Sequence, residues 1–437
     1  MAQGRRRRRP AQPRPLALAL ALLGLLPALP PLAARADATP FTLQSALKLP
    51  DWMNLQVAFS GEPLFNPVGG LTATGAWVQQ SSIDLALSTG LSRDQQQWRE
   101  LDHWGVNVNI GHTTGNQLFN SDIGAVFPLQ QVAYPPGFWL SEASLERDPG
   151  AGWLGLKAGI LAMNPDFIQV PILNLYVHAS LNNTLNIVNT DLPINPYASP
   201  GGVVTLRPSD AFKIRYGIYD IGSTFAVSQA LGADPALADG IYGTAQVLQI
   251  DYTGAWLAPD PKLPMKVCRE TYGLVRSHPR CERPTTVTNQ LPGGLVRVGG
   301  ITSTDNNTGE GVYGSVTLRS GLPIGLDERV WFGGAYSPNR TVDFAPTFVG
   351  GGMVVQGVVR QRPLDLLVLG IGRGGLSSEA PPFLTSSYEG MAELGYRVMI
   401  NESLQLQPTV QWIFNPSGAD QPVPGILAAG LRIDLNF

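Results

Sequence analysis

Two stretches decide the fold: Leu404-Gln405-Leu406-Gln407-Pro408-Thr409-Val410-Gln411-Trp412-Ile413-Phe414, and Ala429-Gly430-Leu431-Arg432-Ile433-Asp434-Leu435-Asn436-Phe437. In the second, Ala429, Leu431, Ile433, Leu435 and Phe437 are apolar, and Gly430, Arg432, Asp434 and Asn436 stand between them. The first does the same, with Gln405, Gln407, Thr409 and Gln411 between Leu404, Leu406, Pro408, Val410 and Trp412. Successive side chains of a strand point to opposite faces, so each stretch is a strand with one greasy and one polar face. A soluble sandwich also alternates. Here the polar face carries Arg, Asp and Gln and the strand ends carry aromatic residues, a combination that fits lipid outside and water inside.

Working outward, the rhythm recurs. Phe212, Ile214, Tyr216 and Ile218 alternate with Lys213, Arg215 and Gly217, and Trp104, Val106, Val108 and Ile110 alternate with Gly105, Asn107 and Asn109. Leu154–Ile160 and Val312–Arg319 repeat it. About sixteen such segments are expected, beginning near Asn54, Ala76, Trp104, Phe138, Gly152, Gly202, Ala211, Gln246, Gly294, Gly311, Arg329, Met353, Leu364, Tyr388, Leu404 and Leu427. Those near Ala76, Arg329 and Leu364 alternate poorly. The fold class this implies is all-β, a transmembrane antiparallel barrel.

Composition agrees. Of 437 residues, 14% are charged and 44% hydrophobic, against roughly 25% charged in soluble proteins. Polarity therefore rests on amides, hydroxyls and 49 glycines. A net charge of −3 gives no basic footprint for nucleic acid. At the N-terminus, Arg5–Arg9, an apolar run Leu16–Leu29 and the small-x-small site Ala34-Arg35-Ala36 form the three parts of a secretory signal peptide. The expected domains are a signal peptide over 1–36 and a barrel over 37–437, the mature chain starting near Asp37. The apolar run is shorter than the ~20 residues of a membrane-spanning helix, and Pro27, Pro30 and Pro31 interrupt it.

Connections read as those of an up-and-down barrel, which has short turns at one end and longer loops at the other. Pro208–Asp210, Gln361–Pro363 and Asn401–Ser403 are short turns. The loop 161–199 is long enough to fold into the lumen and constrict it, and 117–131 has helical character suited to a second plug. The connection from Leu257 to Pro292 breaks the pattern: either it is a long insert on the short-turn side, or the strand count before it is wrong. It carries Cys268 and Cys281, which in an exported protein read as one disulfide.

No residues assemble into a catalytic constellation, a metal site or a cofactor motif. His103, His112, His178 and His278 are scattered, and Gly370-x-Gly372-x-x-Gly375 is followed by a loop where a nucleotide fold needs a helix. These glycines read as the end of a strand. More informative are the charges that strand parity turns inward. Glu142, Glu146, Lys157, Lys213, Arg215 and Asp251 precede Arg297, Arg319, Glu389, Glu393, Arg397, Arg432 and Asp434. Arg or Lys at the lipid midplane costs roughly 2–4 kcal/mol, so such side chains belong in the lumen. There they either solvate the wall and pair with each other, or a subset narrowed by the long loop forms a sugar slide: Arg offers a fork of donors and Glu accepts, so the two together suit vicinal hydroxyls, and mixed sign favours a neutral polyol over either ion.

The last quarter resembles the OprB-type carbohydrate-selective porin family. The resemblance rests on Glu389, Glu393, Gly395, Tyr396, Gln407-Pro408, Gln411-Trp412-Ile413, Asn415-Pro416, Gly418, Gly430-Leu431-Arg432 and Phe437. Thr409, Trp412 and Ser417 depart from the family's Asp, Tyr and first Gly. Thr409 falls on the inward face and Trp412 on the outward one. Weaker family segments are Glu142 and Glu146 before Gly159, and Leu291-Pro292-Gly293 before Val298-Gly299. The resemblance implies a sixteen-strand outer-membrane barrel passing monosaccharides and related small solutes by facilitated diffusion. The partners it implies are small sugars, outer-membrane lipid, the barrel assembly machinery through Phe437, and further copies of the chain in a homo-oligomer. A less selective porin for ions and small nutrients is the alternative.

Overall fold

The computed structural model describes residues 43–88, 103–148, 153–183, 192–223, 243–254, 294–304 and 310–437, apart from residues 51, 119, 133–134, 321, 323, 360, 363, 381–383, 385 and 402. Sixteen antiparallel strands close into one barrel in chain order, β1 pairing with β16. They are β1 (Met53–Val68), β2 (Gly75–Ser88), β3 (His103–Gly115), β4 (Gly137–Asp148), β5 (Leu154–Leu161), β6 (Ser199–Ser209), β7 (Phe212–Asp220) and β8 (Thr244–Thr253). They continue with β9 (Leu295–Ser303), β10 (Gly311–Arg319), β11 (Asp327–Tyr336), β12 (Thr347–Gln356), β13 (Leu366–Gly375), β14 (Tyr388–Met399), β15 (Leu404–Phe414) and β16 (Ile426–Asn436). Closure pairs every strand on both sides, the condition for a sheet to stand in hydrocarbon.

The alternation sets the two faces. Outward residues such as Val298, Phe332 and Ile371 are more than half exposed, whereas Gln407 and Gln411 on the inner face of β15 are fully buried. Exposed aromatics gather near both barrel ends: Trp104, Trp153 and Phe212 at one, Phe65, Trp77 and Phe138 at the other. This is the double girdle of a lipid-embedded barrel. Trp412 faces out and Thr409 in, as parity requires.

The expected segments match the sixteen strands in number and order, and two details differ. β12 begins at Thr347 rather than near Met353. Gly350, Gly351 and Gly352 hide its first half, because glycines carry no alternation. Gly370 and Gly372 do not end a strand: they lie within β13 and face inward, and only Gly375 is terminal. Their inner surface is a seat for loops, since a Cβ on Gly370 would overlap Tyr176 and one on Gly372 would crowd Leu181 and Phe348.

The short turns 210–211 and 400–403 lie at the end where β1 begins and β16 finishes. The connection 254–294 leaves from that same end, because eight strands precede it. The strand count is therefore sound, and the long connection leaves and rejoins the wall on the short-turn side. Cys268 and Cys281 fall outside the described residues. At the opposite end, the described parts of the connections after β3 and β5 fold into the lumen. Leu118, Phe127 and Leu129 of the first, with Phe167, Ile172, Leu173, Tyr176 and Leu181 of the second, form one apolar core with inward residues of the wall.

Candidate functional site: the loop-spanned lumen

The second inward loop crosses the barrel and is held at both walls. At its first elbow, Gln249 on β8 accepts the Ile168 N–H at 2.9 Å. Arg215 on β7 donates to the Asp166 carbonyl at 2.8 Å, and Arg297 on β9 donates to the Gln169 carbonyl. Asp251 orders both arginines, accepting a bidentate fork from Arg297 at 2.7 and 2.9 Å and one bond from Arg215 at 3.1 Å. Such planar pairing fixes direction as well as charge.

At the far wall, Glu393 on β14 accepts two consecutive backbone N–H groups, from Val177 at 2.9 Å and from His178 at 2.7 Å. Four residues earlier on the same strand, Glu389 does the same for the first loop, accepting from Val126 at 2.9 Å and Phe127 at 3.0 Å, and also from Ser417. Gln407 donates to the Leu175 carbonyl at 2.8 Å and Gln411 to the Leu129 carbonyl at 2.9 Å. Arg432 donates to the Asn174 carbonyl at 3.1 Å. Tyr176 lies against the glycine seat of β12 and β13, donating to the Leu369 carbonyl and accepting from Trp331 Nε1, each at 2.7 Å. Burial there holds the Tyr176 phenol far above its ordinary range. His178 is fully buried beside it, and desolvation pushes its imidazole down to about 3. Its Nδ1 accepts the Ser180 N–H and caps the turn Ala179–Asn182.

All thirteen charges assigned inward by parity face the lumen side of the wall, and they divide by what they touch. Arg215, Arg297, Glu389, Glu393 and Arg432 hold loop backbone, and Asp251 holds the two arginines Arg215 and Arg297. Arg397 donates to Asp434 at 2.6 Å, which also accepts from Arg432 at 2.9 Å. Lys157 bridges Glu142 at 2.9 Å and loop residue Asp166 at 3.0 Å. Glu146 stands opposite Lys157 in the β4–β5 register, and Lys213 opposite Asp251 in the β7–β8 register. Arg319 lies apart, near the short-turn end, against Asp327 at 3.3 Å and the Leu326 carbonyl.

Sequence reasoning missed Glu62, which accepts the Val132 N–H at 3.1 Å and lies 3.9 Å from Arg432. Gly61 and Pro63 flank it and blur the alternation there. It also missed Asp84 on β2, which accepts from Asn109 on β3. Among the described residues no cluster of His, Cys, Asp or Glu could hold a metal ion.

A closed antiparallel barrel with an apolar exterior, a polar interior and a loop hydrogen-bonded across its lumen is a porin-type channel of the bacterial outer membrane. The family model described as carbohydrate-selective porin, OprB family, matches residues 83–308 and 325–437. The chain belongs to that family: it is a carbohydrate-selective porin. Among solved structures it is similar to Pseudomonas putida OprB at high pH, with a TM-score of 0.67 and 17% identity over 90% of this chain and 96% of that one. The low-pH structure of the same protein gives 0.50 and 16%, over 90% and 95%. At these identities the likeness is one of fold. No curated protein sequence matches.

Proposed function

We propose that the mature chain carries monosaccharides and related small neutral solutes by facilitated diffusion, through a weak binding site narrowed by the loop 162–198. The observation that supports this best is the loop itself, hydrogen-bonded to β7–β9 on one side and to β14–β16 on the other. Charges of both signs stand on the wall around it. Arg215 and Arg297 are proposed to serve this site by fixing the loop, Lys213 and Arg319 to set the charge of the lumen beyond it, and Glu142 and Glu146 to accept hydroxyls from the wall. Conduction needs binding favourable enough to enter and weak enough to leave. The expected affinity is near millimolar, about −4 kcal/mol. The reading is of a conduit and requires no chemical step.

Residues 1–36 are proposed to be removed on export, Phe437 to be read by the assembly machinery, and Cys268 and Cys281 to form a disulfide that constrains the 254–294 connection alone. The test of the central reading is planar-bilayer recording with glucose. Saturable block of ion current is expected in the wild type, weakened in Arg215→Ala, Arg297→Ala and Arg319→Ala. Wild-type current that glucose never blocks would replace this reading with that of a general, ion-preferring porin.

A further inference from the structure

The loop shows water one face only. Between Met163 and His178, the residues that are not buried are Pro165, Asp166, Gln169, Pro171 and Asn174. Across the barrel, the inward Asp84 of β2 and Asn107 and Asn109 of β3 are also only partly buried. The inner amides Gln407 and Gln411 of β15, by contrast, are completely buried. Asp84, Asn109 and Glu142 form one continuous row across β2, β3 and β4 in the strand register.

Two contacts join these faces at their edges. On one side Lys157 ties Glu142 to Asp166. On the other, Arg432 reaches the Asn174 carbonyl from β16, next to β1. Wall, lysine clasp, loop and arginine clasp thus form a closed perimeter. Both cations on that perimeter are already ion-paired, Lys157 to two carboxylates and Arg432 to Asp434. What remains toward water is acceptor-rich: the Asp84–Asn109 pair on the wall, and on the loop the Gln169–Asn174 pair, hydrogen-bonded at 2.7 Å.

We propose that the conducting passage is the cleft between this loop face and the β2–β5 wall, that Asp84, Asn109, Gln169 and Asn174 are its hydroxyl-binding groups, and that it passes neutral polyols ahead of anionic sugars. The inference rests on the sugar-porin reading and adds where the sugar passes and what it must not carry. A carboxylate and an amide side by side present acceptors and donors at the spacing of neighbouring hydroxyls. The three carboxylates Asp84, Glu142 and Asp166 share the single ammonium of Lys157, so an anionic sugar meets an excess of negative charge. Like charges brought together in a confined polar site repel, and this selects against the wrong solute.

The experiment is planar-bilayer recording of the full mature chain, titrated with glucose and, separately, with gluconate. In the wild type, glucose is expected to block and gluconate to block at least tenfold more weakly. Gln169→Ala and Asn109→Ala should each weaken the glucose block about fivefold, the loss of one real hydrogen bond. Asp84→Asn, which keeps the shape of the pair, should strengthen the gluconate block while leaving the heat stability of the barrel on gels unchanged. If glucose blocks the wild type and all three variants keep the wild-type constants for both solutes, the passage lies elsewhere and this inference is overturned. Absence of any glucose block in the wild type is a different result, and it overturns the sugar reading beneath it.

Discussion

The two sides of this barrel use the same kinds of side chain for different ends. On β14–β16 the inward Glu389, Glu393, Gln407, Gln411 and Arg432 are buried and bonded to loop backbone. On β2–β4 the inward Asp84, Asn109 and Glu142 are half-buried and bond to their own wall. A carboxylate that faces the lumen of a barrel is therefore not yet a cargo residue. The loops decide, because one side of the wall carries them and the other faces them across water.

The comparison breaks most visibly at Glu393. Glu393→Ala leaves two buried backbone N–H groups without an acceptor, and bonds of that charged type are worth about 1.5–3 kcal/mol each. Undocking of the loop is expected, with several-fold higher single-channel conductance and loss of sugar block. Unchanged conductance would show that the loop does not depend on this grip.

Acid should attack the same side. His178 is buried without charge, its folded value pushed to about 3 against an ordinary 6.5. Between those values the undocked loop binds the proton and the docked loop does not. The contribution of His178 to docking is therefore fully present above pH 6.5 and is lost progressively as pH drops toward 3. Conductance of the wild type should rise over that window. His178→Asn, which still caps the turn, should flatten the profile.

The glycine seat gives a smaller effect. Gly352→Ala places a methyl into the Tyr176 hydroxyl and the Trp331 ring, and overpacking of this kind costs about 1–3 kcal/mol. Lower heat stability on gels and noisier current are expected. The smallest change belongs to the open side. Lys157→Met removes a partly exposed clasp, and such pairs are worth about 0–1 kcal/mol. Stability should hold within that margin, while reversal potentials shift toward cation preference as Glu142 and Asp166 lose their partner.

Much of this architecture was legible in the sequence. Alternation in β7, β15 and β16 marks the strands without ambiguity, and parity alone turns Lys213, Arg215, Arg432 and Asp434 inward. What parity cannot say is what an inward residue meets. Glu393 meets Val177 and His178, which lie more than two hundred positions earlier in the chain, and no local pattern encodes that pairing. Gly352 and Gly370 look like weak strand positions because their role is to have no side chain where Tyr176 enters. Asp84 escaped notice because Ser81 and Gln79 stand on the outward face of β2, so the alternation that would have flagged it is poor there.

At seven wall residues the inward loops are gripped through their peptide groups. Gln249 takes an N–H, Arg215 and Arg297 take carbonyls, Glu389 and Glu393 take N–H pairs, and Gln407 and Arg432 take carbonyls again. Such a grip is blind to which amino acid it holds. Gln169 and Asn174 can therefore be exchanged by mutation while the scaffold that displays them stays intact. Descendants of one barrel can diversify their diet by redrawing a few loop side chains, and a designer can retune the channel by the same route.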